Sequence, residues 1–183
     1  KELQERQNSL KDGDKVISAG GIHGIFAKES VTVSGGTLNT DHLNFHEGGQ
    51  FNMTGGKISD NTSKNNANFD GFYAWTSIVK ITDGELADDI TIQGNHTPTV
   101  GGSGISGVVH FALGTTHNTV NLAKDFGTIK FTVAAGNNFA AFNFKPAADY
   151  TYTAGDEAKL VCQTEGYSTY WDAATGTFRL QAN

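Results

Sequence analysis

Val31-Thr32-Val33-Ser34-Gly35-Gly36 and Phe51-Asn52-Met53-Thr54-Gly55-Gly56 lie one 20-residue step apart, and their likeness decides the fold. Each places apolar side chains at every second position and then turns on a glycine pair. A third version, Leu43-Asn44-Phe45-His46-Glu47-Gly48-Gly49, falls between them. Alternation of period two predicts a strand with one buried face. The glycine pair supplies the positive φ that a tight corner needs. A step of this length fits one coil of a parallel β-helix, in which short strands joined by turns stack coil on coil. Each coil then covers the apolar face of its neighbour.

The same texture continues beyond the glycine phrases. Ser77–Ile81, Asp89–Asn95, Val108–Leu113, Thr119–Leu122 and Thr128–Val133 all read as short strands. Two stretches interrupt them. Residues 60–75 form a polar run that ends in the aromatics Phe69, Phe72, Tyr73 and Trp75, and read as a loop bulging from the coil body. Residues 97–107 are rich in Gly and Ser and read as a second, flexible loop.

The ends differ from the middle. In residues 1–12, Leu3 and Leu10 stand seven apart among Lys, Glu, Gln and Arg, which predicts a short N-terminal helix ended by Asp12-Gly13-Asp14. It reads as a solvated leader or a cap on the first coil, with a coiled-coil trimerisation stub as the sharper alternative. Residues 13–135 read as the β-helix proper. Residues 136–183 read as a C-terminal β cap of the same domain. That stretch holds Phe139, Phe142, Phe144, Tyr150, Tyr152, Tyr167, Tyr170 and Trp171, and Tyr170–Leu180 reads as a hairpin turning at residues 173–176. Such a hairpin blunts the edge of the last coil.

Composition bounds the function. The 183 residues suit one domain. Gly is 23 of them, against a usual share of about 7%. Charged residues are 17%, below the usual share of about 25%, and Asn, Thr and Ser replace them. The net charge is −6, so no basic surface is expected to follow nucleic acid or to hold an anionic membrane. No apolar run is long enough to span a bilayer. The chain starts Lys1-Glu2-Leu3-Gln4, with no initiator Met and no apolar signal core, and reads as a processed or excised piece of a longer protein. The single cysteine, Cys162, sits in an apolar run and reads as a buried, inert thiol.

Ser34-Gly35-Gly36-Thr37-Leu38, Glu47-Gly48-Gly49-Gln50-Phe51 and Thr54-Gly55-Gly56-Lys57-Ile58 resemble the repeats of bacterial autotransporter passengers and related surface adhesins. The resemblance covers residues 15–60 well and 76–133 loosely. It implies a right-handed parallel β-helix displayed outside the cell; the right hand also follows from the preference of parallel crossovers. The same coil type occurs in phage tailspikes and in pectin-active enzymes, so the likeness speaks for fold more than for function.

Candidate chemistry is sparse. Polygalacturonase-type enzymes use paired carboxylates on stacked coils. Asn39-Thr40-Asp41 and Asp88-Asp89 echo their motif words. Asp41, however, is followed by His42 rather than Gly, and the two words stand far apart. His42 and His46 share a strand face, yet lie about 13 Å apart at roughly 3.3 Å per residue, too far for one zinc ion. His23, His96, His110 and His117 are scattered. Asp12, Asp14, Asp83, Asp88 and Asp89 fit no calcium loop. Asn52, Asn61 and Asn95 head glycosylation tripeptides, which an Asn-rich chain produces by chance. The surface aromatics Phe69, Phe72, Tyr73 and Trp75 are the expected ligand-binding residues, because aromatic rings stack on sugar faces and anchor interfaces. Their rival role is to pin the loop onto the coil.

The expectation is thus an all-β, single-stranded, right-handed parallel β-helix with a short N-terminal helix and an aromatic C-terminal cap. It serves as a cell-surface or secreted adhesin or structural passenger at an extracellular or bacterial cell-surface location. It presents loops 60–75 and 96–107 to a glycan or protein partner, with no catalytic residues, metal or cofactor, and acts as a monomer. The alternative is a homotrimeric phage tailspike or fibre segment that binds or cleaves a polysaccharide.

Overall fold

The computed structural model describes residues 25–27, 30–39, 43–45, 50–59, 72–75, 78–87, 89–102 and 104–183. The expected helix at residues 1–12 lies outside them. The regular structure of the described residues is β throughout, apart from a single 3-10 turn at Asp156–Lys159.

In chain order the first strands are β1 (Ile25–Ala27), β2 (Ser30–Asn39), β3 (Leu43–Phe45), β4 (Gln50–Ser59), β5 (Phe72–Trp75), β6 (Ile78–Leu86), β7 (Ile90–Gly94) and β8 (Thr99–Val100). They are followed by β9 (Gly104–Ile105), β10 (Val108–Leu113), β11 (Thr119–Leu122), β12 (Ile129–Val133), β13 (Asn143–Lys145), β14 (Leu160–Cys162), β15 (Tyr167–Asp172) and β16 (Thr177–Ala182). The chain passes alternately between two sheets. Sheet 1 runs β1-β3-β5-β7-β10-β12-β14, with every pairing parallel. Sheet 2 runs β2-β4-β6-β8-β11-β13-β16-β15, parallel until β16 joins antiparallel. This is a β-solenoid of stacked parallel coils.

The 20-residue step of the sequence is the coil step: Val31 pairs with Phe51, and Val33 with Met53. The glycine pairs are corners. Register shifts fall between Val33 and Thr37 and between Met53 and Lys57, where the long strands bend onto a short third face. Gly36 and Gly56 take φ of 74° and 81° there, and Gly84 and Gly102 continue the row with φ of 107° and 92°. A side chain is excluded for a second reason at Gly56, where a Cβ would lie 2.9 Å from the Gly35 carbonyl carbon.

Alternation sets the core. β10 reads half-buried, buried, half-buried, buried along its length, with Val109, Phe111 and Leu113 inside. In-register stacking puts like on like, so inward residues form continuous rows through the molecule. Phe51, Met53, Val79 and Ile81 fill one end of the core. Phe111, Phe131, Phe142 and Phe144 fill the other, with Phe131 and Phe144 meeting edge to face at 4.7 Å. Burying each such ring contributes about 1.5–3 kcal/mol.

The final hairpin turns at residues 173–176 and lays β16 against β13, so that Phe178 pairs with Phe144. Trp171 packs on Phe178 at 4.8 Å and stacks flat on Tyr152 at 4.9 Å. Beneath them Asp156 accepts hydrogen bonds from the Tyr150 hydroxyl (2.7 Å) and the Thr153 amide (2.8 Å).

Three expectations need correction. Phe72–Trp75 is a strand and not part of a loop, because β3 and β7 on either side hold it in the ladder. Residues 97–107 are not one flexible loop: β8 and β9 lie within it, and Gly101 and Gly102 are buried. Glycine is needed there for close approach, since a Cβ on Gly104 would fall 2.6 Å from the Gly84 carbonyl oxygen. Cys162 is half-buried rather than buried, because β14 ends its sheet.

Candidate functional site

Sheet 1 carries the most developed polar arrangement. Its inward rows are apolar: Ile90, Val109 and Phe131 in one, Ile92, Phe111 and Val133 in another, all buried. Between them runs a row on the opposite face. Thr91, His110 and Thr132 are in register on adjacent coils and are half-buried.

Stacking converts this row into a linked chain. His110 Nδ1 lies 2.7 Å from the Thr132 hydroxyl, 22 residues later in sequence. His110 Nε2 lies 3.6 Å from Asp89 Oδ2. Asp89 immediately precedes β7, and its Oδ1 accepts the Val108 amide at 2.7 Å, which ties the carboxylate to the start of β10. The result is a carboxylate, an imidazole and a hydroxyl in line across three coils. At 40% and 51% exposure, the His110 and Asp89 side chains remain open to solvent.

The order resembles a hydrolase triad only superficially. In that arrangement the carboxylate orients Nδ1 and the nucleophile meets Nε2. Here the ring presents Nδ1 to the hydroxyl, and the carboxylate stands beyond hydrogen-bond length. The geometry instead offers a line of hydrogen-bonding groups across three coils.

Three of the aromatics expected to bind ligand lie on β5, whose backbone pairs with β7. Tyr73 shares backbone register with Thr91, and Trp75 with Gln93. Phe72 shares the row of Ile90 and Val109, both buried. Phe69 lies outside the described residues, as do Asp12, Asp14, Asp41, His42, His46 and Asp88. Asp89 therefore meets a histidine, while its convergence with Asp41 and Asp88 falls outside the described residues. Asp83 accepts its neighbour Gly84's amide at 2.8 Å in the corner turn.

Sequence reasoning alone does not single out His110 and Thr132. The signal that finds them is the coil step itself: Asp89, His110 and Thr132 recur at about one coil apart, and only the register shows that they share a face.

A second histidine is held differently. His96 sits in the bend after β7, and both its ring nitrogens are buried without a partner. Burial, with a smaller contribution from nearby His117, holds its pKa down to about 4. It is neutral at physiological pH and belongs to the packing of the corner.

No protein-family model, curated protein or solved structure matches this chain.

Proposed function

We propose that this chain is a segment of a cell-surface or secreted adhesin or structural passenger, and that it presents one face of a β-solenoid to a glycan or protein partner. The observation that carries the reading is the polar row Thr91–His110–Thr132 with Asp89 beside it, in register with Tyr73 and next to the row of Trp75. Stacked hydroxyl, imidazole and carboxylate groups beside aromatic positions suit the mixed polar and apolar faces of a sugar chain.

The tailspike alternative requires apolar side chains facing outward along an edge to hold a trimer. Among the residues whose side chains are described, Val161 on the terminal strand β14 is the exposed large hydrophobic, at 39%. A polar exterior of this kind favours the passenger reading.

The test is a glycan array probed with the intact chain, with its Tyr73→Ala/Trp75→Ala variant and with His110→Ala. The reading expects a glycan class whose signal falls about tenfold or more in the double variant, the loss of about 1–1.5 kcal/mol of stacking. A signal unchanged in both variants contradicts the use of this face.

A further inference from the structure

Asp89 and His110 are each held by one polar atom and face each other with the second. Asp89 Oδ1 accepts the Val108 amide at 2.7 Å. His110 Nδ1 lies 2.7 Å from the Thr132 hydroxyl. The two atoms left over, Asp89 Oδ2 and His110 Nε2, stand 3.6 Å apart, and both side chains are open to solvent.

That separation discriminates between three ways of joining the pair. A charge-assisted bond from an imidazolium to a carboxylate closes to about 2.7–2.9 Å. A water bridging the two through bonds of about 2.8 Å, at a tetrahedral angle, holds them about 4.6 Å apart. Two ligands at about 2.1 Å from one metal ion, at the same angle, stand about 3.4 Å apart. The observed 3.6 Å is closest to the last. The flanking bonds match as well. A metal takes one nitrogen of a neutral imidazole, and the proton on the other nitrogen goes to an oxygen that fixes the tautomer and the ring. Thr132 supplies that oxygen. A ligating carboxylate is in turn held by a hydrogen bond, as Asp89 is by Val108.

We propose that Asp89 Oδ2 and His110 Nε2 are two ligands of a divalent transition-metal ion of the zinc, nickel and copper class. Imidazole nitrogen with carboxylate oxygen suits these ions, whereas magnesium and calcium take oxygen ligands. Thr132 and the Val108 amide are positioning groups that aim the two ligands. Among the described residues no third His, Cys, Asp or Glu completes a group with the pair. The other coordination positions therefore go to water or to a donor that a partner brings, and the ion exchanges readily. The proposal uses residues of the polar row but does not rest on the reading of that row as a glycan face. Metal binding by a face that recognises no glycan leaves it standing.

The probe is zinc alone, titrated into the intact chain and followed by nitrogen NMR of the imidazole rings, which resolves His110 from the other histidines. Zinc is expected to shift Nε2 of His110 saturably while Nδ1 keeps its proton. Magnesium over the same range is expected to leave the ring unmoved. Asp89→Asn is expected to weaken zinc binding at His110 about tenfold or more, and Thr132→Val, which keeps both ligands, about tenfold. The amide spectrum of each variant reports whether the fold is kept. Zinc that shifts other rings while His110 stays still overturns the proposal, as does entry through Nδ1. Binding to a folded Asp89→Asn chain as tight as to the parent overturns it as well.

Discussion

A Cβ on Gly56 would lie 2.9 Å from the carbonyl carbon of Gly35, one coil below, while a Cβ on Gly36 would meet nothing within 4 Å among the described residues. Both glycines have positive φ, but among the described residues a neighbouring coil closes over Gly56 alone. Gly36→Ala is therefore expected to cost about 1–2 kcal/mol, from φ alone. Gly56→Ala is expected to cost at least about 1 kcal/mol more, because the backbone of the coil below must shift. Gly35→Ala, with neither constraint, should stay within about 0.5 kcal/mol. Urea unfolding of the three variants checks the order; equal costs at positions 36 and 56 would contradict close stacking at this corner.

His96 predicts a mild acid sensitivity. Its folded pKa of about 4 lies below the ordinary 6.5. The unfolded chain therefore binds more protons between those values, and stability falls as pH drops through that window. The full shift is discounted because the ring keeps some solvent contact, which leaves about 1–2 kcal/mol. Thermal melts between pH 7 and pH 4 should show the decline, and His96→Leu should flatten it. An equal decline in the variant would assign the effect elsewhere.

Asp156 predicts a second step at lower pH. Hydrogen bonds from Tyr150, then Lys159 and the Thr153 amide, hold its carboxyl down at about 2. Its contribution is complete above the ordinary 3.8 and is lost as pH falls through about 2. At neutral pH, Asp156→Ala strands the Tyr150 hydroxyl and should cost about 1–3 kcal/mol. Near-ultraviolet circular dichroism, which reports Trp171 and its stacked neighbours, should lose amplitude in that variant. An unchanged spectrum and midpoint would show that the terminal aromatics hold without it.

Thr132→Val predicts a local effect on the polar row. It removes the hydroxyl 2.7 Å from His110 Nδ1, and the half-exposed site should lose no more than about 1 kcal/mol. Nitrogen NMR of the His110 ring should shift at Nδ1 in this variant. An unshifted Nδ1 would mean that the two groups do not meet in solution.

The coil body was legible because alternation and glycine corners are local signals. Val31, Val33, Phe51 and Met53 announce one buried face, and the register places them in stacked pairs. The terminal hairpin was legible from its turn chemistry at residues 173–176. Phe72–Trp75 was not, because a strand this short is held by β3 and β7 rather than by its own periodicity. Gly101 and Gly104 read as flexible because composition does not distinguish a glycine that is free from one that is crowded. That Asp89, His110 and Thr132 share one face stayed hidden because coil lengths vary: Val31 pairs with a residue 20 positions on, and Phe111 with one 22 positions on. Without the register, no fixed spacing marks a shared face.

The reading as a displayed passenger segment, against a trimeric tailspike, is tested most directly by the molar mass in solution, measured by light scattering after gel filtration. The account predicts a monomer near the 19.4 kDa chain mass. A stable trimer would contradict it and make polysaccharide cleavage the next assay.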